Sequence, residues 1–263
     1  MSLTLVDLFC GAGGSSIGYT AAGFRLVLAA NHWKRAIETH AANFPDAEHL
    51  CENVNEIDMR RLPRADILHA SPICTEVSPA GGNRRVAGSP GQMDLLEEAG
   101  HVPKAAYERT RATFHDVIRA TEVHRFKAVV VENVPDVVTK WELFDWWVQG
   151  MCLLGYNVQF VSASSAHIWG PGNAPAPQWR DRLYLVFTKV GIRLPDVAPS
   201  PLAPCEPCGV DVNAVQWFKK PSPRPVGKYR SQYLYRCPNG SCRHSVVEPY
   251  VRPAADIIDW NDP

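Results

Sequence analysis

The sequence contains no apolar run approaching the length of a bilayer, and no basic flank precedes its first hydrophobic stretch, which Asp7 interrupts. The first absence argues against a helical membrane span, and the second makes Leu3 to Phe9 a strand rather than a secretory leader. Net charge is also missing, since 27 Lys and Arg balance 27 Asp and Glu. Evenly spread, that balance would argue against a polyanionic partner. It is not evenly spread. Between Cys205 and Arg252 eight Lys or Arg stand against three Asp or Glu, a net of +5, which leaves −5 for the rest. A basic carboxyl-terminal stretch on an acidic body fits contact with nucleic acid through one part of the molecule. Eight cysteines without a secretory leader point to a reducing, cytoplasmic compartment, and so to thiol chemistry or metal binding before disulfides.

What is present suffices for one large α/β domain with a small appendage: 263 residues, 46% hydrophobic and 21% charged. Leu3 to Phe9 breaks at Cys10-Gly11-Ala12-Gly13-Gly14-Ser15-Ser16, and helical spacing follows through Ile17 and Tyr19 to Gly23. Strand, glycine turn and helix start bring backbone N–H groups close to a cofactor, although a tight turn alone needs glycines too. Phe24 to Ala30 reads as a second strand ending at Asn31-His32-Trp33, with a helix from Lys34 to Asn43. In a doubly wound fold a nucleoside's ribose and base lie at that strand end, so Trp33 is either a stacking ring or simple packing. Cys51-Glu52-Asn53 ends a short third strand.

The apolar run Ala65 to Ala70 is a buried strand, and Ser71-Pro72-Ile73-Cys74 follows it. Cys74 thus sits beyond a strand's carboxyl end, where open α/β sheets place their chemistry. Taken alone, such a cysteine is more often a small apolar residue capping a core strand. Gly81, Gly82, Gly88 and Gly91, with Arg84 and Arg85, suggest a mobile cationic lid. A helical pattern between Gly100 and Phe126 leads to the β-branched strand Lys127 to Val131, which delivers Glu132-Asn133-Val134-Pro135. Trp141 to Leu154 is expected to be one helix with its aromatics in the core. Val158 to Ser162 and Leu183 to Thr188 read as the last strands. Between them, an extended Gln178-Trp179-Arg180-Asp181-Arg182 would point Gln178, Arg180 and Arg182 to one side.

Prolines crowd the stretch 194–207 and mark a stiff linker. Cys205-x-x-Cys208 and Cys237-x-x-x-x-Cys242 follow, two close pairs with the spacing of a zinc ribbon, and His244 is a candidate substitute ligand. So small a module has little core of its own and is expected to depend on its metal. The composition thus divides the chain into a body at 1–193, a proline-rich linker at 194–204, a cysteine-paired module expected to bind zinc at 205–252, and a tail at 253–263.

Taken as an ordered series over residues 3 to 190, these motifs resemble those of the cytosine-C5 DNA methyltransferases. The resemblance implies a Rossmann-like doubly wound methyltransferase sheet and a small zinc-ribbon-like recognition module. Its implied cofactor is S-adenosylmethionine, its substrate double-stranded DNA, and its metal a structural zinc on Cys205, Cys208, Cys237 and Cys242. Phe9, Gly11, Gly13 and Gly14 correspond to the cofactor loop. His32 and Trp33 stand where the family holds ribose and adenine, and Asn53 stands where an aspartate usually meets the adenine amino group. Pro72 and Cys74 match the nucleophile loop, Glu132 the base-gripping motif, and Arg180 with Arg182 the arginine pair near the flipped base. Arg109-x-Arg111 corresponds to a weaker motif between them.

Cytosine C5 is a poor nucleophile, and a thiolate added at C6 makes the ring an enamine. That chemistry needs a cysteine rather than a serine, and an acid such as Glu132 at N3. The sequence departs from the family pattern at Ile73, where Pro is usual, at Thr75, where Gln is common, and at His32, where an acid is usual. After Val251 to Trp260 the family's final motif and helix are expected to be missing. A second polypeptide would then supply them, or the chain is a fragment, or the cofactor pocket is closed differently. Two further readings stay open: the same reaction on transfer RNA, and an inactive DNA-binding relative. Lys219, Lys220, Arg224, Lys228, Arg230 and Arg236 are the candidate DNA contacts.

Overall fold

A computed structural model describes residues 2–73, 104–168 and 174–259, and side chains of 104–112 are not among those described. By contact density the chain divides into two units, Met1–Val158 with Phe187–Ile192, and Gln159–Val186 with Arg193–Pro263.

Alternation of strand and helix begins with β1 (Thr4–Leu8), α1 (Gly14–Ala21), β2 (Arg25–Ala30), α2 (Lys34–Asn43) and β3 (Glu48–Leu50). It continues with β4 (Ile67–Ala70), α3 (Lys104–His124), β5 (Ala128–Asn133), α4 (Val137–Lys140), α5 (Phe144–Leu153), β6 (Tyr156–Ser164) and β7 (Asp181–Lys189). The sheet order is β3-β2-β1-β4-β5-β7-β6. Strands β1, β2 and β4 are mostly buried runs because a parallel sheet is covered on both faces, whereas β5 alternates half-buried and buried residues; Leu5, Val6, Leu28, Leu68 and Val129 are fully enclosed. The pairs β2–β3, β1–β2, β1–β4 and β4–β5 are parallel. Across them Leu50, Ala30, Leu8, Ala70 and Val131 are register partners in one row. The residues that follow them therefore emerge along a single edge.

α3 buries Phe114, Val117, Ala120 and Thr121, one helical stripe, and Phe114 O accepts from Trp147 Nε1 at 2.7 Å. The helix expected from Trp141 to Leu154 is present as α5, which starts three residues later at Phe144, and a separate short helix, α4, precedes it. The backbone turns extended at Trp141, whose ring packs 4.5 Å from that of Phe114. Phe144 and Trp147 are core as expected, but Trp146 is 59% exposed.

The second unit contains the hairpin β8 (Leu202–Cys205) and β9 (Val210–Asn213), and the three-stranded β10 (Val215–Phe218), β11 (Tyr233–Arg236) and β12 (Val246–Val247). β8 starts inside the expected linker, which has no regular structure between Pro195 and Pro201. The core of this unit is small and tyrosine-rich: Ala203, Val212, Ala214, Tyr229, Tyr233, Tyr235 and Val247, together with Cys205 and Cys237. No helix of the described residues is long and apolar enough to cross a membrane.

Candidate active site and metal centre

Beyond β1 the backbone takes left-handed angles three times in five residues, at Phe9 (φ 61°), Gly11 (φ 55°) and Gly13 (φ 105°). At Gly13 a side chain is excluded twice over. The angle disfavours it, and a Cβ would lie 2.9 Å from Phe44 Cε2 and 3.2 Å from His40 Cδ2. Gly11 and Gly14 face open space instead. The turn leads straight into α1, whose first amides have no side-chain cap. Beneath it Asp7 is completely buried; its Oδ2 accepts from Ser16 Oγ at 2.7 Å, while Oδ1 has no partner. Burial pushes this carboxyl up to about 7. Ser16 Oγ also meets His40 Nε2 at 3.0 Å, and His40 Nδ1 meets His49 Nε2 at 2.8 Å.

At the end of β2, Asn31 Oδ1 accepts from Trp33 N at 2.9 Å and leaves the Trp33 ring 60% exposed beside an exposed His32. Past β3, Asn53 caps a single 3-10 turn and donates its amide to Glu56 Oε1 at 3.0 Å. At the end of β4, Pro72 is buried and its carbonyl accepts from Asn133 Nδ2 at 3.0 Å. His69 Nε2 meets Ser71 Oγ at 3.2 Å, and His69 Nδ1 meets Tyr19 OH at the same distance. Burial holds His69 down near 4, so its ring is neutral. Glu132 is half-buried at the end of β5. Cys74, Thr75 and the glycine-rich stretch after them lie outside the described residues. So do the side chains of Arg109 and Arg111, whose backbone belongs to α3.

Arg180 and Arg182 belong to the second unit. β7 begins only at Asp181, so strand alternation covers Arg182 alone. Gln178 and Arg180 lie in an irregular, exposed approach pinned by Ser165, which donates Oγ to Gln178 O and its amide to Arg180 O. The alternate-residue expectation fails there because bonds from Ser165, distant in sequence, rather than a regular ladder hold the backbone. Asp181 Oδ1 accepts from Tyr229 N at 2.9 Å, and Trp179 stacks on Tyr229 at 5.8 Å and 5°. The Arg230 guanidinium lies 5.4 Å from the Trp179 ring centre and 5.6 Å from that of Tyr229, and Arg236 lies 4.7 Å from Trp217.

The Sγ atoms of Cys205, Cys208, Cys237 and Cys242 all lie within 4.8 Å of one another. Cys205 to Cys242 and Cys208 to Cys237 are each 3.9 Å. A tetrahedral ion with metal–sulfur bonds of about 2.3 Å sets its sulfurs about 3.8 Å apart. The donor set therefore fits a metal ion. Two turns aim the thiols: one closes at left-handed Gly209 and the other at left-handed Arg243. Asn239 N points at Cys237 Sγ at 3.4 Å, as suits a thiolate. His244 is not in this set; its Nδ1 meets Cys237 O instead.

The sequence profile described as C-5 cytosine-specific DNA methylase matches residues 3–204 of this chain. The chain belongs to that family. Among curated C5-family relatives, the type II methyltransferase M1.HphI of Haemophilus parahaemolyticus is 26% identical over 76% of this chain and 50% of its own. M.MthTI of Methanothermobacter thermautotrophicus is 28% identical over 77% and 54%. The chain thus spans about half the length of these relatives. Two solved structures share the fold. One is an E. coli prophage protein described as a DNA modification methyltransferase (TM-score 0.52, 18% identity, 90% of this chain and 71% of that one). The other is DNMT2 of Spodoptera frugiperda (0.53, 17%, 74% and 53%). They support a Rossmann-like methyltransferase sheet for this methylase-family chain. Sequence reasoning missed the buried Asp7–Ser16–His40–His49 chain of this C5-methylase fold. Its one visible signal was Asp7 interrupting an otherwise apolar strand.

Proposed function

We propose that the protein transfers a methyl group from S-adenosylmethionine to C5 of cytosine in double-stranded DNA. The observation that carries this reading is the register row. Within the first unit it brings the Gly11–Gly14 turn, His32-Trp33, Asn53, Ser71-Pro72 and Glu132 to the carboxyl ends of five neighbouring parallel strands. The residues present suit the cofactor. Gly11 and Gly14 leave open space at the turn, the first amides of α1 have no side-chain cap, and the exposed Trp33 ring offers a stacking face. Asn53, having spent its amide on Glu56, keeps an acceptor for an adenine amino group. When bound, S-adenosylmethionine supplies an electrophilic methyl group on a sulfonium.

The chain's own residues do the rest. Cys74 adds as thiolate to C6 of a base swung out of the duplex; Glu132 donates a hydrogen bond or proton at N3, so charge built up in the ring is neutralised. Arg180 and Arg182 hold the O2 side. Asn133, by gripping Pro72 O, sets where the nucleophile loop leaves β4. The Cys205, Cys208, Cys237 and Cys242 set holds a structural zinc, and the basic module it organises contacts DNA. A type II relative by name suggests a modification role beside a nuclease.

The test is covalent trapping: the chain is incubated with S-adenosylmethionine and a duplex carrying 5-fluorocytosine. A denaturation-resistant complex that disappears in Cys74→Ala is expected. A binding-competent wild-type protein that forms no adduct would overturn the assignment.

A further inference from the structure

The cofactor turn rests on a buried carboxyl that the reaction above does not use. Asp7 is wholly enclosed, one of its oxygens is unpartnered, and the other is the end of a chain of three hydrogen bonds leading through Ser16 and His40 to the half-buried His49. The chain has a direction. Ser16 has one proton and gives it to Asp7, so His40 Nε2–H donates to Ser16 Oγ and His49 Nε2–H donates to His40 Nδ1. Every donor then points at an anionic Asp7. If His49 takes a proton at Nδ1, one proton shifts along each bond and all three bonds reverse. Asp7 Oδ2–H then donates to Ser16, Ser16 to His40 Nε2, and His40 Nδ1–H to His49 Nε2. One proton enters at the rim, and one negative charge disappears beneath the turn.

Resting on the cofactor reading above, we infer that Asp7 discriminates the cationic cofactor from its neutral product, and that Ser16, His40 and His49 are the positioning residues that set its charge. S-adenosylmethionine and S-adenosylhomocysteine share every polar group and differ by a methyl group and one positive charge on sulfur. A carboxylate under the turn, shielded from water, acts on that difference. The other titratable groups facing the chain do not compete. Cys10 is held up near 12 by burial and by Asp7, and its thiol donates to Gly11 O. His69 shares Asp7's register on β4, and its ring, bonded to Tyr19 and Ser71, is neutral above about 4. Burial and His49 both hold His40 below its ordinary value. Glu48, next to His49, is exposed. Among the described residues no Lys or Arg bonds to any of the four.

Calorimetric titration of the full chain with each ligand at pH 6, 7 and 8 tests this. Taking the ratio of the two affinities cancels groups that touch the shared adenosine and amino acid parts. The preference for S-adenosylmethionine should rise roughly tenfold from pH 6 to 8 in the wild type, and stay level in Asp7→Asn. His40→Phe and Ser16→Ala each remove a donor aimed at the carboxylate and should move the midpoint of that rise to higher pH. His40→Gln, which can still donate to Ser16, should restore it. A ratio that is level with pH in the wild type overturns the inference while leaving the cofactor reading intact. Failure of either ligand to bind at any pH rejects both. A midpoint unmoved in His40→Phe and Ser16→Ala removes the chain from the account.

Discussion

Asp7 sets a pH dependence of stability as well as of binding. Its folded value, about 7, lies above that of an unfolded carboxylate, about 3.9, so the native state holds more protons between those limits. The stability tied to this proton is fully present below pH 4 and is lost as pH rises through 7. Asp7→Asn should therefore stabilise the protein by about 2–4 kcal/mol at pH 8 and leave it nearly unchanged at pH 4, as urea titrations at the two pH values would show. Asp66 works in the opposite sense. Its hydrogen bonds from Lys127 and Thr4 hold it down to about 2, so its contribution stands above pH 4 and fades toward pH 2. A second residue-scale expectation concerns Asn133, which is buried and satisfied at both ends, donating to Pro72 O and accepting from Val134 N. Asn133→Ala should cost about 1–3 kcal/mol of stability. It should also lower adduct formation by more than the loss of folded protein explains, because Pro72 lies two residues before Cys74.

At the scale of the element, the turn between β1 and α1 distinguishes its glycines. Gly13→Ala forces a Cβ into Phe44 and His40 at a left-handed angle, and should cost about 1–3 kcal/mol and abolish cofactor binding. Gly14→Ala meets nothing within 4 Å at an ordinary helical angle, and should fold normally. Any binding loss in Gly14→Ala then reports the ligand's own approach to the turn; melting curves with and without S-adenosylmethionine separate the two. Elements were legible where a local pattern decided them: α2 spans the expected Lys34–Asn43, and the apolar runs of β1, β2, β4 and β5 were strands. They were not legible where contacts distant in sequence decide. Gln178 to Arg182 alternates like a strand, yet Ser165 takes the backbone bonds that a ladder would need.

At the scale of the whole molecule, charge and metal are the levers. The second unit's core is a few tyrosines and small residues, too little to hold two thiol-bearing turns without help. Elemental analysis of protein purified without chelator should find one zinc per chain, and Cys208→Ser or prolonged chelation should erase the near-ultraviolet signal of the packed Tyr229, Tyr233 and Tyr235. DNA affinity should fall steeply with salt. If about three to five of the eight cations between Cys205 and Arg252 meet phosphates, raising salt from about 50 to 200 mM should weaken binding roughly 40- to 500-fold.

The chain by itself determined the order of strands and helices, the two cysteine pairs that cluster and the succession of motifs that place it in its family, because each is written in residues near one another or in a fixed sequence of local patterns. Only the tertiary structure decided which of those patterns share an edge. The common register of Leu50, Ala30, Leu8, Ala70 and Val131 is a property of hydrogen bonds between strands, and no stretch of sequence contains it. The same holds for the line from Asp7 to His49. Four polar side chains on β1, α1, α2 and β3 become one chain because burial deprives Asp7, Ser16 and His40 of water and leaves them one another, and the half-buried His49, as partners.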